Sequence, residues 1–161
     1  MNTVMSSEVN EVAEMNYQDT KMQQWILRIL FRLGAHKQFI TQHGFSSQPL
    51  ADYLHLSNEH SFSLSQQDQD SLLKRLRKFY HDAEQHNSLT QASIFQTAVS
   101  RFATRIGLNS AEKAILEFTL QLHQERLLDD VTEWLGPLTS AKVYRTLAMT
   151  LDITETEVRE A

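Results

Sequence analysis

The sequence predicts an all-α fold: an irregular bundle of about six to seven helices that closes on a helix-turn-helix-like pair. Three observations carry this prediction. The chain has only 4 glycines and 2 prolines in 161 residues, well below the roughly 12% of average usage, so turn-formers for repeated hairpins are scarce. Apolar residues recur at the 3-4 spacing of amphipathic helices, and no strand-like alternation of useful length interrupts them. Capping residues stand where those stripes begin, and glycines stand where several of them stop. A folded chain of this length hides roughly two thirds of its unfolded surface and needs no cross-link to hold a core.

Residues 1–18 hold Glu8, Glu11 and Glu14 with no Lys or Arg, and Val9, Val12 and Met15 make a thin stripe at helical spacing. So little apolar area predicts a flexible acidic arm. From Asp19 onward Met22, Trp25, Ile26, Ile29, Leu30 and Leu33 predict a helix over 20–34, with Lys21, Arg28 and Arg32 on its other side and Gly34 as its stop. Residues 35–64 are less regular, with a short helix expected at Pro49 to His55 and a polar connector after it. Ser65 and Asp68 cap a helix over 66–86 whose apolar face is Leu72, Leu73, Leu76, Phe79, Tyr80 and Ala83, and Asp70 can pair with Lys74 on its outer face.

Thr90 opens a third long helix over 90–106, carrying Ile94, Phe95, Ala98, Val99, Phe102, Ala103 and Ile106 and stopped by Gly107. The breadth of that face places the helix at the centre of the bundle. Asn109 or Ser110 caps a fourth, Ala111 to about Gln124, with Ala114, Ile115, Phe118 and Leu122 inward. Leu127, Leu128, Val131, Trp134 and Leu135 mark a fifth, ended by Gly136-Pro137. Thr139 or Ser140 caps a sixth with Val143, Tyr144, Leu147, Ala148 and Leu151. A capping box from Thr154 to Glu157 opens a seventh. A capped helix of only two turns predicts that the natural chain continues past Ala161. The expected organisation is thus an arm at 1–18, a helical bundle at 19–107 and a second helical unit at 108–161 that precedes a missing downstream module.

The composition excludes several classes of function. Lys and Arg number 15 against 20 Asp and Glu, a net charge of −5, so no global field draws nucleic acid or anionic lipid. The absence of cysteine removes disulfides, thiolate metal sites and thiol nucleophiles together. Gly34, Gly44, Gly107 and Gly136 stand alone, so no phosphate-binding loop can be assembled. His81, Asp82, Glu84 and His86 are the densest metal-ligand types, but their spacing does not set two imidazoles on one helix face with a carboxylate, and histidines near a helix end more often answer its dipole. Ser, His and Asp occur without a strand-turn-helix nucleophile context. The expectation is a chain with no catalytic residue, no cofactor and no metal. It carries no membrane span and no signal-peptide pattern, and is expected to be soluble and cytoplasmic.

Two features invite a partner. Leu147, Ala148, Leu151, Ile153 and Val158 have the spacing of a helix-turn-helix, with Asp152 where the turn glycine usually stands. Glu155, Glu157 and Glu160 against a single Arg159 would repel phosphate there, which argues against nucleic acid and for a packing role. The dense basic run Lys74, Arg75, Arg77 and Lys78, with Arg28 and Arg32 in a stretch free of Asp and Glu from residue 20 to 51, supplies candidate contacts for an acidic protein partner. The stripes do not distinguish burial against the same chain from burial against a second copy, so a homo-oligomer stays open.

The segment Leu108 to Ala161, through Leu108, Ala114, Ile115, Phe118, Leu128, Trp134, Leu135, Gly136, Leu138, Leu147, Ala148, Leu151, Ile153 and Val158, resembles the helical region that precedes the nucleotide-binding core in large bacterial AAA-family ATPases. The resemblance covers about a third of the chain. It implies an N-terminal piece of an ATPase whose motor would follow Ala161, and it carries no nucleotide-binding residue onto this sequence. Residues 1–107 would then be the part that recognises a substrate or adaptor. The resulting expectation is a non-catalytic interaction domain of such an ATPase. The alternatives are a helix-turn-helix-type nucleic-acid-binding regulator and a small helical adaptor.

Overall fold

The 3-4 stripe at residues 20–34 folds as a helix, α1, through residues 20–32 of a computed structural model that describes residues 20–56, 64–85 and 93–161. Every residue from Gln24 to Leu30 is buried, Gln24 and Arg28 included. A helix covered on all sides at that height is the central element, and its two polar residues must find partners inside. Gln24 donates through Nε2 to the Ala83 carbonyl at 3.3 Å.

A short helix α2 (His36–Phe39) leads into a two-stranded hairpin, β1 (Ile40–Thr41) and β2 (Gly44–Phe45), paired antiparallel with Ile40 opposite Phe45. Strands of two residues leave no alternation in a sequence, and this hairpin was not among the expected elements. Gly44 sits at φ 103, which only glycine adopts without strain. Helix α3 (Gln48–Tyr53) follows, its Ser47 cap accepting from the Leu50 amide and Pro49 in its first turn.

Helix α4 (Gln66–Gln85) starts on the reciprocal pair read from the sequence: the Asp68 amide donates to Ser65 Oγ at 3.2 Å while Ser65 Oγ donates to the Asp68 carboxylate at 2.6 Å. Leu72 and Leu76 point into the core. No ion pair joins Asp70 to Lys74; Asp70 accepts instead from Gln66 Nε2 at 3.4 Å. The remaining helices are α5 (Ile94–Ile106), α6 (Ser110–Gln124), α7 (Arg126–Glu133), α8 (Ser140–Leu151) and α9 (Glu155–Glu160), making nine among the described residues. Asn109 with Glu112 and Thr154 with Glu157 form complete capping boxes. Asp152 takes the left-handed turn conformation at φ 61, and Ala148 and Val158 are both buried at the crossing of α8 and α9.

Two expectations change. Helix α5 is peripheral: Val99 and Ala103 are buried against α6, while Ile94, Phe102 and Ile106 are 68%, 54% and 55% exposed. Its breadth of apolar surface exceeds what one neighbouring helix can cover, and the central place belongs to α1. The core also crosses residue 107, where the sequence pattern draws a subdomain boundary. Phe118, Leu128 and Val131 lie in the same buried cluster as Trp25, Leu30, Leu54 and Leu76, with the Trp25 and Phe118 rings edge to face at 5.2 Å. The expected acidic arm at 1–18, Thr90 and His86 lie outside the described residues. Among those described, no helix is long and apolar enough to cross a membrane.

Candidate functional site

Arg28 and Arg32 stand one helical turn apart on α1, so both side chains leave the same side of it. Helix α4 passes that side with Tyr80 and Glu84, and the turn between α8 and α9 arrives from the other. Arg28 is 4% exposed. Its Nε and Nη2 donate to the two Glu84 oxygens at 2.7 and 3.0 Å, a fork-to-fork pair, and its Nη1 donates to the Thr150 carbonyl at 3.0 Å. Arg32 donates through Nε to Tyr80 Oη at 2.8 Å and through Nη1 to the Met149 carbonyl at 3.1 Å and the Asp152 carboxylate at 2.5 Å.

Met149 and Thr150 belong to the last turn of α8, whose final carbonyls have no intrahelical partner. The two guanidinium groups satisfy them and place positive charge at the negative end of the helix. Asp152 in turn closes the charge balance: the hydrogen bond from Arg32 holds its carboxyl below the ordinary value of 3.8, aided by the nearby charges of Arg32 and Arg28 and opposed by partial burial. Burial opposes the charge on Arg32, but its bonds to Tyr80 and Asp152 outweigh that and raise it above its ordinary range.

This placement corrects the reading of Arg28 and Arg32 as partner contacts. Arg28 is an interior tie between α1, α4 and α8, since each of its three nitrogens donates to Glu84 or to the Thr150 carbonyl. Arg32 is partly spent in the same way. The four candidates on α4 separate as well. Lys74, Arg77 and Lys78 are exposed on one outer face, whereas Arg75 is half-buried and its Nη2 lies 3.4 Å from the His55 carbonyl. The six cations therefore do not form one surface.

What the fold does assemble is a cleft of about 300 Å³ between the end of α1, the end of α7 and the outer side of α8, lined by Arg32, Leu33, Leu135, Leu138, Lys142, Arg145 and Thr146. Its size is at the lower end of small-molecule sites, which run about 300–1,000 Å³. Lys142 and Arg145 are exposed and, unlike Arg32, have no ion pair among the described residues. No carboxylate lines the cleft. It offers uncompensated positive charge above three leucines, a setting for an acidic group attached to an aliphatic one and without a nucleophile–base pair. Lys142 and Arg145 were not singled out from the sequence. Their signal was there: residues 134–151 contain no Asp or Glu.

At the helix-turn-helix-like end α9 packs on α8, with Ala148 and Val158 buried between them. Arg159, the one cation of α9, lies 3.9 Å from Glu155 and 5.1 Å from the Tyr144 ring, while Glu155, Glu157 and Glu160 face solvent. Glu84, one of the ligand types near residues 81–86, is held by Arg28 and Arg32, and among the described residues no three His, Asp or Glu side chains converge on a metal position. No family model, no curated protein and no solved structure matches the chain.

Proposed function

We propose that this chain is a non-catalytic interaction domain that takes an acidic, aliphatic segment of a partner protein into the cleft between α1, α7 and α8, as the recognition end of a AAA-family ATPase. The observation that carries the binding is the pairing of Lys142 and Arg145, both without ion pairs among the described residues, with the leucine floor of Leu33, Leu135 and Leu138. Carboxylates in the segment answer the cations and an aliphatic side chain fills the floor, so charge gives orientation and apolar burial gives retention. The ATPase context rests on the resemblance of residues 108–161 alone.

Two experiments test the two halves separately. An amphipathic peptide with leucines at helical spacing and glutamates between them, titrated into isotopically labelled protein, should shift the signals of Leu33, Leu135, Lys142 and Arg145. Shifts elsewhere, or none, would end the cleft reading. Translation of the source gene beyond the Ala161 codon should reveal a G-x-x-x-x-G-K-[ST] loop. An immediate stop codon would end the ATPase reading and leave a small helical adaptor with the same cleft.

A further inference from the structure

Helix α5 turns an apolar stripe to solvent. Ile94, Ala98, Phe102 and Ile106 recur every fourth residue along it, and all four are exposed. Arg101 and Arg105 flank the stripe, and no Asp or Glu occurs between Glu84 and Glu112. A surface of this kind fits an acidic amphipathic helix. It does not fit a second α5, because pairing two copies would bring four guanidinium groups together with no carboxylate from either helix.

The chain itself carries a segment of the required chemistry. Residues 1–18 contain Glu8, Glu11 and Glu14, no Lys or Arg, and Val9, Val12 and Met15 at helical spacing. The point of attachment is also right. Lys21 Nζ lies 2.8 and 2.7 Å from the two oxygens of Glu117, and Gln96, in the first turn of α5, donates to that same carboxylate at 2.7 Å. The chain therefore enters α1 beside the start of α5. Helix α5 is about 20 Å long at 1.5 Å per residue, and the preceding residues span that length whether helical or extended. Tethering at this point gives an effective concentration on the order of millimolar, so even a weak contact is occupied.

We propose that residues 1–18 dock as an amphipathic helix on the outward face of α5, antiparallel to it. Met15 and Val12 then lie near Ala98 and Phe102, and the glutamates flank Arg101 and Arg105. The inference is independent of the cleft between α1, α7 and α8.

The absence of cysteine from the chain makes the test direct. In the full-length protein carrying Met15→Cys and Ala98→Cys, mild oxidation should form a disulfide within the monomer at least roughly tenfold faster than in a Met15→Cys, Gln48→Cys control, which shares the tether. Adding Arg101→Glu and Arg105→Glu should slow it, and Glu11→Lys with Glu14→Lys should then restore it. A rate equal to the control, or a disulfide that appears only between two molecules, overturns the proposal. As a second readout on a protein without added cysteines, Val9→Asp with Val12→Asp should speed hydrogen exchange in α5 and leave α1 unchanged. No change in α5 overturns it equally.

Discussion

Arg28, buried in the middle of α1, holds Glu84, near the end of α4, through two parallel hydrogen bonds of 2.7 and 3.0 Å. The two ends of this pair differ in their access to water: the Arg28 side chain is 4% exposed and that of Glu84 24%. Losing either partner should therefore not cost the same. Glu84→Gln keeps one acceptor oxygen but removes the negative charge, which leaves a charged guanidinium inside with Asp152, at 4.0 Å, as its nearest remaining carboxylate. Arg28→Met keeps most of the buried stem and leaves a carboxylate that water can reach. Removal of a partner from a fully buried pair costs about 3–5 kcal/mol, and the partial exposure here lowers the expectation to about 1–3 kcal/mol for Glu84→Gln. Urea denaturation should show Glu84→Gln to be the more destabilising of the two; the reverse order would mean that the acceptors left without a donor, Glu84 and the Thr150 carbonyl, cost more than the uncompensated buried charge.

Thr150 is fully buried in the last turn of α8, and its hydroxyl has no hydrogen-bond partner. Only its backbone carbonyl is used, by Arg28. An orphaned hydroxyl of this kind forfeits its hydration, so the isosteric Thr150→Val should stabilise the protein by about 1 kcal/mol. A rise in the urea midpoint at unchanged slope is the expected result, and a fall would show that the hydroxyl has a bonding role in solution.

These two residues mark where sequence reading reaches its limit. The 3-4 stripes, the Ser65, Asn109 and Thr154 caps and the Gly107 stop each depend on residues within a turn or two of one another, and the elements they predict are present. What no local pattern contains is how many neighbours a helix acquires. The stripe of α5 is as rich as that of α1, yet one helix is enclosed and the other covered on a single side. The same limit governs the charges. Arg28 reads as solvated because nothing within four residues of it is acidic; its partner is 56 residues away. The cleft is partly legible, through the acid-free stretch at 134–151, but the run of four cations in α4 is the denser local signal.

Asp152 links stability to pH with a definite sign. Its carboxyl is held below 3.8 in the folded protein, chiefly by the Arg32 hydrogen bond, while in the unfolded chain it titrates near 3.9. A lowered folded value means that the stabilisation is complete above the unfolded value and is lost as pH falls through the folded one. Glu157, lowered by the Thr154 backbone and side-chain hydrogen bonds, acts in the same direction. Denaturation midpoints should fall as the pH drops below about 4, and Asp152→Asn, which still tolerates the left-handed turn, should flatten part of that fall. Because Asp152 is more than half exposed, the difference will be small. Identical pH profiles for the two proteins would show that the Arg32–Asp152 contact is not maintained in solution.

The two sets of exposed cations should act differently on a bound acidic segment. Lys142 and Arg145 border a cleft with an apolar floor, where contacts persist once made. Lys74, Arg77 and Lys78 project from the outer face of α4, attract at a distance and grip little. Charges at a rim chiefly change the association rate and its salt dependence, whereas groups within the seat of the interface change dissociation. With the glutamate-leucine peptide as probe, Lys142→Glu with Arg145→Glu should raise the dissociation rate by roughly tenfold or more, equivalent to about 1.4 kcal/mol. Lys74→Glu, Arg77→Glu and Lys78→Glu together should slow association a few-fold at low salt and have no effect once screening shortens the field to within about 10 Å. Circular dichroism should be unchanged in both, since neither set is tied into the core. If the α4 reversal instead accelerates dissociation, the partner lies along α4, and the cleft is incidental to binding.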